Sequence, residues 1–427
     1  MSDYDRGKYY GKKKFAQNKD PSSSYARSYY GRRSPSFKDS KEAPKPDTPK
    51  VKQPTILLKA RDHSEETSLS PKRAQKDPEL APTAPETHAA PSVKSMTKSV
   101  KFLDESVLSE NLQEFVQENS DFLVVGVVGA QGVGKSTLLN LIAHNVVGEE
   151  LKKAIFRNCE TPNEDFLVEN FSFPESKSEI FRIQTGDDVE TNRNATRGID
   201  AFITSNRVIL LDCQPFMSVA VLDDLVQSEN KRSNIVSEFI PLENSGEIQG
   251  LQLTAFLMSI CHVLIVVQDY FFDSNIVRFL QTAEMLKPTH SNPEDELNDH
   301  FPHLLMVHNK AQMEDFSPRK FETIQEVYNL LFEKTKLQKD SNLGLVEGEA
   351  FNVFLVPEYN PKLENIYNGH PPLEDLVKKL RAKILGAIKT PLTHVQLTEK
   401  TWLVYCSKVW ENVKKSSFFI EYTKLMP

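Results

Sequence analysis

Gly129, Gly134, Lys135 and Ser136 fit the spacing G-x-x-x-x-G-K-[ST] at every fixed position, and that pattern does one kind of chemistry: it wraps a phosphate. Glycines lack a Cβ, so backbone N–H groups can curl around the anion while the start of a helix adds its partial positive charge. Gly129, Gln131, Gly132, Val133, Gly134, Lys135, Ser136 and Thr137 are therefore the candidate cradle. In such a loop the lysine reaches the terminal phosphates and the serine hydroxyl holds Mg²⁺. A Gly-rich turn carrying a surface lysine is the plain alternative.

The elements that must position this loop are readable on both sides of it. Residues 122–128 form an unbroken apolar run and read as a buried strand; residues 138–143 continue as a helix. Residues 201–204 and 208–212 flank Ser205-Asn206 and read as a hairpin, and residues 262–269, 303–310 and 351–356 as further strands. Helical spacing is predicted over residues 106–116, 219–227, 248–259, 275–286, 318–333, 373–388 and 398–415, the last with Trp402 and Trp410 near one face. Strands alternating with helices imply an α/β fold with one doubly wound, mostly parallel sheet, the hairpin supplying an antiparallel edge. Ligands of such sheets bind at the carboxyl ends of the strands, where the loop, Asp212, Asn309 and Lys310 all fall.

The 427 residues have room for two or three domains, but the first hundred are poor in apolar side chains and read as none. Residues 1–60 hold 15 Lys+Arg against 6 Asp+Glu, leaving 37 against 53 in the remainder, so the tail is basic and the body acidic. A stretch rich in Tyr, Ser, Arg and Pro buries too little surface to offset its ordering entropy. Residues 1–104 are therefore expected to be a disordered basic tail, residues 105–390 the phosphate-loop domain and residues 391–427 a C-terminal helix packed on it. Lys12-Lys13-Lys14 with the pairs Tyr9-Tyr10 and Tyr29-Tyr30 could contact RNA by phosphate attraction and stacking. A solubilising, phosphorylated tail is the plainer account, given the Ser-Pro and Thr-Pro steps.

Cysteine and apolar patterns bound the setting. Cys159, Cys213, Cys261 and Cys406 lie far apart with no C-x-x-C pair, which suits reduced, mostly buried thiols and neither a disulfide framework nor a zinc site. No apolar signal core stands at the amino terminus, and the longest apolar stretch, residues 255–267, is interrupted by Ser259 and His262 and too short for a bilayer. A cytoplasmic protein without membrane contact is expected.

The order of phosphate loop, Thr196, strand-end Asp212 and strand-end Asn309-Lys310 resembles the small-GTPase layout. That resemblance implies Ser136, Thr196 and Asp212 as the Mg²⁺ set, with Asn309 and Lys310 at the nucleotide; a helix-capping aspartate and an ordinary Thr-Arg-Gly turn are the alternatives. Two departures matter. Pro215 stands where GTPases place a glycine whose N–H senses the γ-phosphate, and proline has no N–H. Phe216 occupies the position of the water-orienting glutamine, leaving Gln214 as the substitute nearby. At the base, Gln312 replaces the aspartate of Asn-Lys-x-Asp; a neutral amide brings no charge, so discrimination against adenine should fall, with Glu314 or Asp315 as carboxylates that could swing in. The expected cofactors are a purine nucleotide, GDP/GTP or ATP, and Mg²⁺.

Longer runs point further. Val124-Val125-Gly126-Val127-Val128-Gly129-Ala130-Gln131-Gly132, Thr196-Arg-Gly-Ile-Asp200, Asp212-Cys-Gln-Pro215 and Cys261-His-Val-Leu-Ile-Val-Val-Gln-Asp269 are four of them. Phe279-Leu-Gln-Thr-Ala-Glu-Met285, Pro302-His303-Leu304 with Asn309-Lys310-Ala311, Leu397-Thr-Glu-Lys400 and Lys414-Lys-Ser-Ser417 complete the set. Together they resemble the SMG-nine family of nonsense-mediated mRNA decay factors over roughly residues 102–427. The resemblance implies a G-like domain in a heterodimer with SMG-eight. That pair binds and restrains the phosphatidylinositol-3-kinase-related kinase that phosphorylates the Upf helicase. Pro215 and Gln312 fit a regulatory scaffold that keeps a nucleotide and has lost efficient turnover. A GTPase of the dynamin or guanylate-binding type, active on dimerisation, is the alternative, because those families also use Thr-Arg-Gly-like segments.

Overall fold

The structure is a computed structural model and describes residues 94–156, 179–231, 242–269, 272–288, 299–348, 350–360 and 369–426. The expectations for residues 1–93, RNA contact included, and for Cys159 lie outside the described residues. Among the described residues the strands are β1 (Val100–Asp104), β2 (Val107–Leu108), β3 (Leu123–Gly129), β4 (Ile199–Ile203), β5 (Val208–Cys213), β6 (Val263–Gln268), β7 (His303–Ala311) and β8 (Val353–Pro357). They form one sheet in the order β2-β1-β4-β5-β3-β6-β7-β8. The run from β5 through β3, β6 and β7 to β8 is parallel, and β2, β1 and β4 add antiparallel pairings outside β5.

The helices are α1 (Lys135–Ala143), α2 (Glu149–Ile155), α3 (Gly186–Glu190), α4 (Val219–Lys231), α5 (Leu242–Ile260), α6 (Ser274–Leu286), α7 (Pro318–Leu331), α8 (Leu373–Leu385), α9 (Glu399–Lys414) and α10 (Ser417–Leu425). Every residue of β3 is buried because helices cover both faces of the sheet. Val124 and Val128 face the larger core, with Phe256 and Leu257 of α5, Leu280 of α6 and Trp402 of α9. Val125 and Val127 face the other, with Leu138 and Leu139 of α1 and Leu376 and Leu380 of α8. This two-residue alternation sorts the strand between two apolar layers.

Several expectations are corrected. Residues 106–116 are not a helix: Glu105 and Ser106 adopt φ of 43° and 67°, turning β1 back along β2, and only Glu110–Leu112 coils as a short 3-10 turn. The helical spacing there is coincidental, since Val107 is exposed while Leu112 is in the core. The tail boundary at residue 104 moves back, because β1 is a strand of the sheet paired to β4. The hairpin β4–β5 exists, but it is not the edge, because β1 and then β2 extend the sheet beyond it.

The C-terminal segment is two helices rather than one. On α9, Trp402 Nε1 donates to the Ile260 carbonyl at 3.1 Å, Tyr405 Oη to the Ser259 carbonyl at 3.1 Å, and Trp410 Nε1 to the Ser106 carbonyl at 2.8 Å. Trp402 also stacks on Phe102 of β1 with ring centroids 5.7 Å apart. At the first turn of α9, the fully buried Glu399 accepts from Gln117 N at 2.9 Å, Asn119 Nδ2 at 3.1 Å and Arg207 Nε at 2.7 Å. Its burial is tolerable because the carboxylate is both ion-paired and hydrogen-bonded.

Candidate functional site

Strand β3 ends at Gly129, the loop turns through Gly132 and Gly134 at φ of 77° and 91°, and α1 begins at Lys135. No L side chain takes those backbone angles readily, which is why glycine stands there. The far end of α1 is fixed by Arg381 of α8, which donates to the carbonyls of Leu141, Ile142 and Asn145 at 2.7, 3.0 and 2.6 Å. Within α1, the buried Asn140 accepts from Ile180 N and Phe181 N, both at 2.9 Å, and so pins the segment that leads towards Thr196. The loop is thus held between a rigid strand and a helix capped from outside.

A cavity of about 960 Å³ opens over this loop. Its lining brings together Gln131, Gly132, Gly134, Lys135, Ser136, Thr137, Thr196, Asn309 and Lys310, drawn from three separate parts of the chain. Gly129, Val133 and Asp212 are not on the wall. Gly129 lies against β6, where a Cβ would sit 2.4 Å from the Val267 carbonyl, and the Val133 side chain packs in the core. Asp212 lies beneath the wall, fully buried.

Asp212 is the node of the three metal candidates. Ser136 Oγ donates to its Oδ2 at 2.6 Å and Thr196 Oγ1 donates to the same oxygen at 2.9 Å. Oδ1 is buried without a hydrogen-bond partner among the described residues. Burial pushes the carboxyl up to about 6 against the pull of Lys135 and the two hydroxyls, and cross-strand Asp200 pushes it the same way as burial. Lys135 is itself buried and, with its Nζ donating to the Ala130 carbonyl at 2.8 Å, is held below the usual lysine range by desolvation. An orphaned carboxylate oxygen beside two hydroxyls is a set of hard oxygen donors, which fits Mg²⁺.

Asn309 and Lys310 brace the loop from the other side. Asn309 Nδ2 donates to the Val133 carbonyl at 2.9 Å, and Lys310 Nζ reaches the Gly132 carbonyl at 3.2 Å and Asp269 Oδ2 at 3.3 Å. Lys310 makes this reach from the left-handed region, at φ of 57°. The two residues therefore touch the phosphate loop directly.

The residues that depart from the GTPase layout have other employment. Pro215 lines the cavity without an N–H to offer. Phe216 is buried and stacks on Phe279 at 4.4 Å. Gln214 is turned away: its Oε1 accepts from Gly198 N at 2.7 Å and its Nε2 donates to Gln249 at 3.3 Å, so it is not at hand to orient water. Asp315 is not free to swing in either, because it accepts from Gln312 N at 2.8 Å and pairs with Lys320 at 2.5 Å.

Several wall residues have no signal in the spacing of motifs. Phe156 and Tyr359 stack at 4.2 Å with planes 23° apart, and Asn194 and Glu358 complete that part of the lining. Asn194 Nδ2 donates to Ser218 Oγ at 3.2 Å, which donates in turn to Gln131 Oε1 at 2.7 Å, linking the Thr196 segment to the loop.

No family model matches the chain. The chain is similar to the curated nonsense-mediated mRNA decay factors SMG9 of Xenopus laevis, at 34% identity over 370 residues covering 78% of this chain and 67% of that one, and of Salmo salar, at 33% over 383 residues covering 81% and 70%. The Caenorhabditis elegans protein of the same name is 26% identical over 361 residues, covering 82% and 83%. Among solved structures, the GTPase-like domain of S. cerevisiae Ski7 bound to GTP aligns over 63% of this chain and 51% of that one, with 16% identity and a TM-score of 0.29. At a third of residues identical across four-fifths of its length to a curated relative, the chain belongs to the SMG9 family of nonsense-mediated mRNA decay factors.

Proposed function

We propose that the chain is a nucleotide-holding regulatory scaffold of nonsense-mediated mRNA decay, in which a purine nucleotide and Mg²⁺ act as structural parts. The observation that carries this reading is the convergence of Ser136 and Thr196 on Asp212, with one buried carboxylate oxygen left over, at the foot of a cavity walled by the phosphate loop. Ser136, Thr196 and Asp212 would hold the metal, whose charge would neutralise the terminal phosphates. The loop's backbone and Lys135 bind the phosphates, and Asn309 and Lys310 keep the loop in shape. Pro215, Phe216 and the engaged Gln214 support slow turnover, because none of them offers a donor or a water-orienting group to the cavity.

Residues from before 104 through 390 serve as the nucleotide domain, with the C-terminal helices as its support. In this reading the chain works in the cytoplasm, pairs with an SMG-eight-like partner and restrains the phosphatidylinositol-3-kinase-related kinase acting on the Upf helicase. Family membership supports that assignment of partners. The test is to denature the purified protein, identify released nucleotide by chromatography, and follow turnover of added GTP and ATP with Mg²⁺ over hours. A retained or tightly bound purine nucleotide with negligible turnover is expected. Absence of any nucleotide binding overturns the reading, and brisk hydrolysis overturns the scaffold in favour of an enzyme.

A further inference from the structure

Ser317, Pro318, Arg319 and Lys320 are consecutive and all exposed, where the short 3-10 turn Met313–Phe316 hands over to α7. Ser317 caps α7 with an extended backbone, at φ of −68° and ψ of 135°, and its Oγ accepts a long bond from Lys320 N at 3.4 Å. Among the described residues one other Ser/Thr-Pro step occurs, Thr390-Pro391, and it differs in kind. Thr390 Oγ1 lies 3.4 Å from Nδ1 of the buried His300, and an uncharged Thr393 stands where the Ser317 run has Lys320. Lys320 is itself engaged, its Nζ pairing with Asp315 Oδ1 at 2.5 Å. Asp315 Oδ2 accepts from Gln312 N at 2.8 Å, and Gln312 Nε2 donates to Glu358 Oε2 at 2.8 Å. Glu358 is on the wall of the phosphate-loop cavity, so a line of contacts runs from the exposed start of α7 to that wall.

We propose that Ser317 is the phosphoacceptor of a proline-directed protein kinase and that its phosphate draws Lys320 off Asp315, loosening the cavity wall at Glu358; the second half rests on the nucleotide reading above. Kinases of this class take a serine followed by proline, which has no N–H to leave unpaired, and gain from a cation three places after the serine. In the transfer, Ser317 Oγ forms a bond to the γ-phosphorus of ATP as the bond from that phosphorus to the β–γ bridging oxygen breaks. ADP leaves, and the hydroxyl proton passes to the catalytic carboxylate of the kinase. The phosphoserine carries about −1.5 to −2 charges at neutral pH, more than the single charge of Asp315. Lys320 stands three places along the same helical turn, Arg319 adds a second cation, and the start of α7 favours an anion. The same phosphate repels Asp315 and Glu314. Asp315, deprived of its cation, holds Gln312 less firmly, and through Gln312 it holds Glu358 less firmly.

The test treats the full chain with a recombinant cyclin-dependent kinase and Mg²⁺-ATP and maps phosphate by mass spectrometry. Ser317 should be modified and Thr390 left alone, and Pro318→Ala should nearly abolish phosphate at Ser317. An unmodified Ser317 in the wild type, or equal modification in Pro318→Ala, overturns the acceptor assignment. The treated and untreated chains are then freed of ATP, loaded with fluorescent GDP or ADP, and followed for release. The phosphorylated chain should release nucleotide about fivefold faster, and Ser317→Ala taken through the same treatment should not change. Lys320→Ala, which removes the same ion pair without adding a phosphate, should also speed release. Equal release from the phosphorylated and unmodified chains overturns the loosening of the wall. Failure of the unmodified chain to bind either nucleotide overturns the nucleotide reading and the loosening with it, while the phosphate map still decides the acceptor.

Discussion

Asn309 Nδ2 occupies the space that a Cβ on Gly134 would enter: the side chain donates to the Val133 carbonyl at 2.9 Å, and a methyl at position 134 would stand 2.3 Å from that nitrogen. Gly134→Ala therefore has to displace Asn309 as well as strain a backbone at φ of 91°. We expect a loss of about 1–3 kcal/mol in stability, read by denaturant titration, together with loss of nucleotide binding. A variant that binds nucleotide as the wild type does would show that the Asn309 brace is dispensable.

Lys135→Ala tests the stabilising role of the ligand. A nucleotide present at 100 times its dissociation constant adds about 2.7 kcal/mol to the folded state. The wild type should gain in melting temperature on adding Mg²⁺ and nucleotide, and Lys135→Ala should gain little. Co-precipitation of the SMG-eight-like partner proposed above should fall in parallel; unchanged partner affinity would make the nucleotide incidental to assembly.

In the proposed metal site, Asp212 should make metal-assisted binding depend on pH. Its carboxyl is raised to about 6, chiefly by burial, so a proton competes with Mg²⁺ as pH falls through that value. The metal-dependent part of nucleotide affinity should be flat above neutrality and fall by up to about tenfold per unit below it. For the empty protein the sign is reversed: a carboxyl that holds its proton more tightly when folded favours the folded state at acid pH, and that contribution is lost as pH rises through about 6. Asp212→Asn should abolish the metal-dependent component and its pH profile together.

Three histidines oppose acid. Burial pushes His262 down to about 3 and His300 and His308 down to about 4. His262 Nδ1 accepts from Val124 N at 3.0 Å, a bond that requires the unprotonated nitrogen. Because the unfolded chain takes up these protons near pH 6.5 and the folded chain does not, stability is complete above that value and falls as pH drops below it. Each histidine contributes a slope of up to about 1.4 kcal/mol per pH unit. Denaturant midpoints measured at neutral pH and about two units below it check this, and an unchanged midpoint would contradict it.

Glu399→Gln should destabilise the fold by about 3 kcal/mol, because it breaks an ion pair with Arg207 and weakens acceptance from Gln117 and Asn119. Equilibrium unfolding of the full chain measures it. The effect should be insensitive to nucleotide, in contrast to Lys135→Ala.

The parts of the fold that are legible in the sequence are those set by local rules. The apolar run into Gly129, followed by Lys135-Ser136-Thr137, marks strand, loop and helix within a few residues, and β6 and β7 are long enough for their apolar content to be decisive. β1 and β2 are not legible, because they are short strands at one side of the sheet, and β1 finds its place on β4, about a hundred residues away. The short helices α2 and α3 are polar and carry little periodic signal. At the site, spacing identifies Lys135, Ser136, Thr196, Asn309 and Lys310, which share one wall. It could not find Glu358, which meets Gln312 only because two neighbouring parallel strands end side by side.

The seat of α9 has a consequence for synthesis. Trp402 and Trp410 fill a core whose other walls are β1, the earliest described strand, and α5, about 150 residues before α9, so α9 closes a space opened by β1. A ribosome adding about 5–20 residues per second releases the phosphate loop long before it releases Trp410. During that interval the apolar face of α5 has no cover from α9. Completion of this fold therefore waits for the synthesis of α9, and a chain cut short before α9 would leave the ribosome with that face open to other proteins.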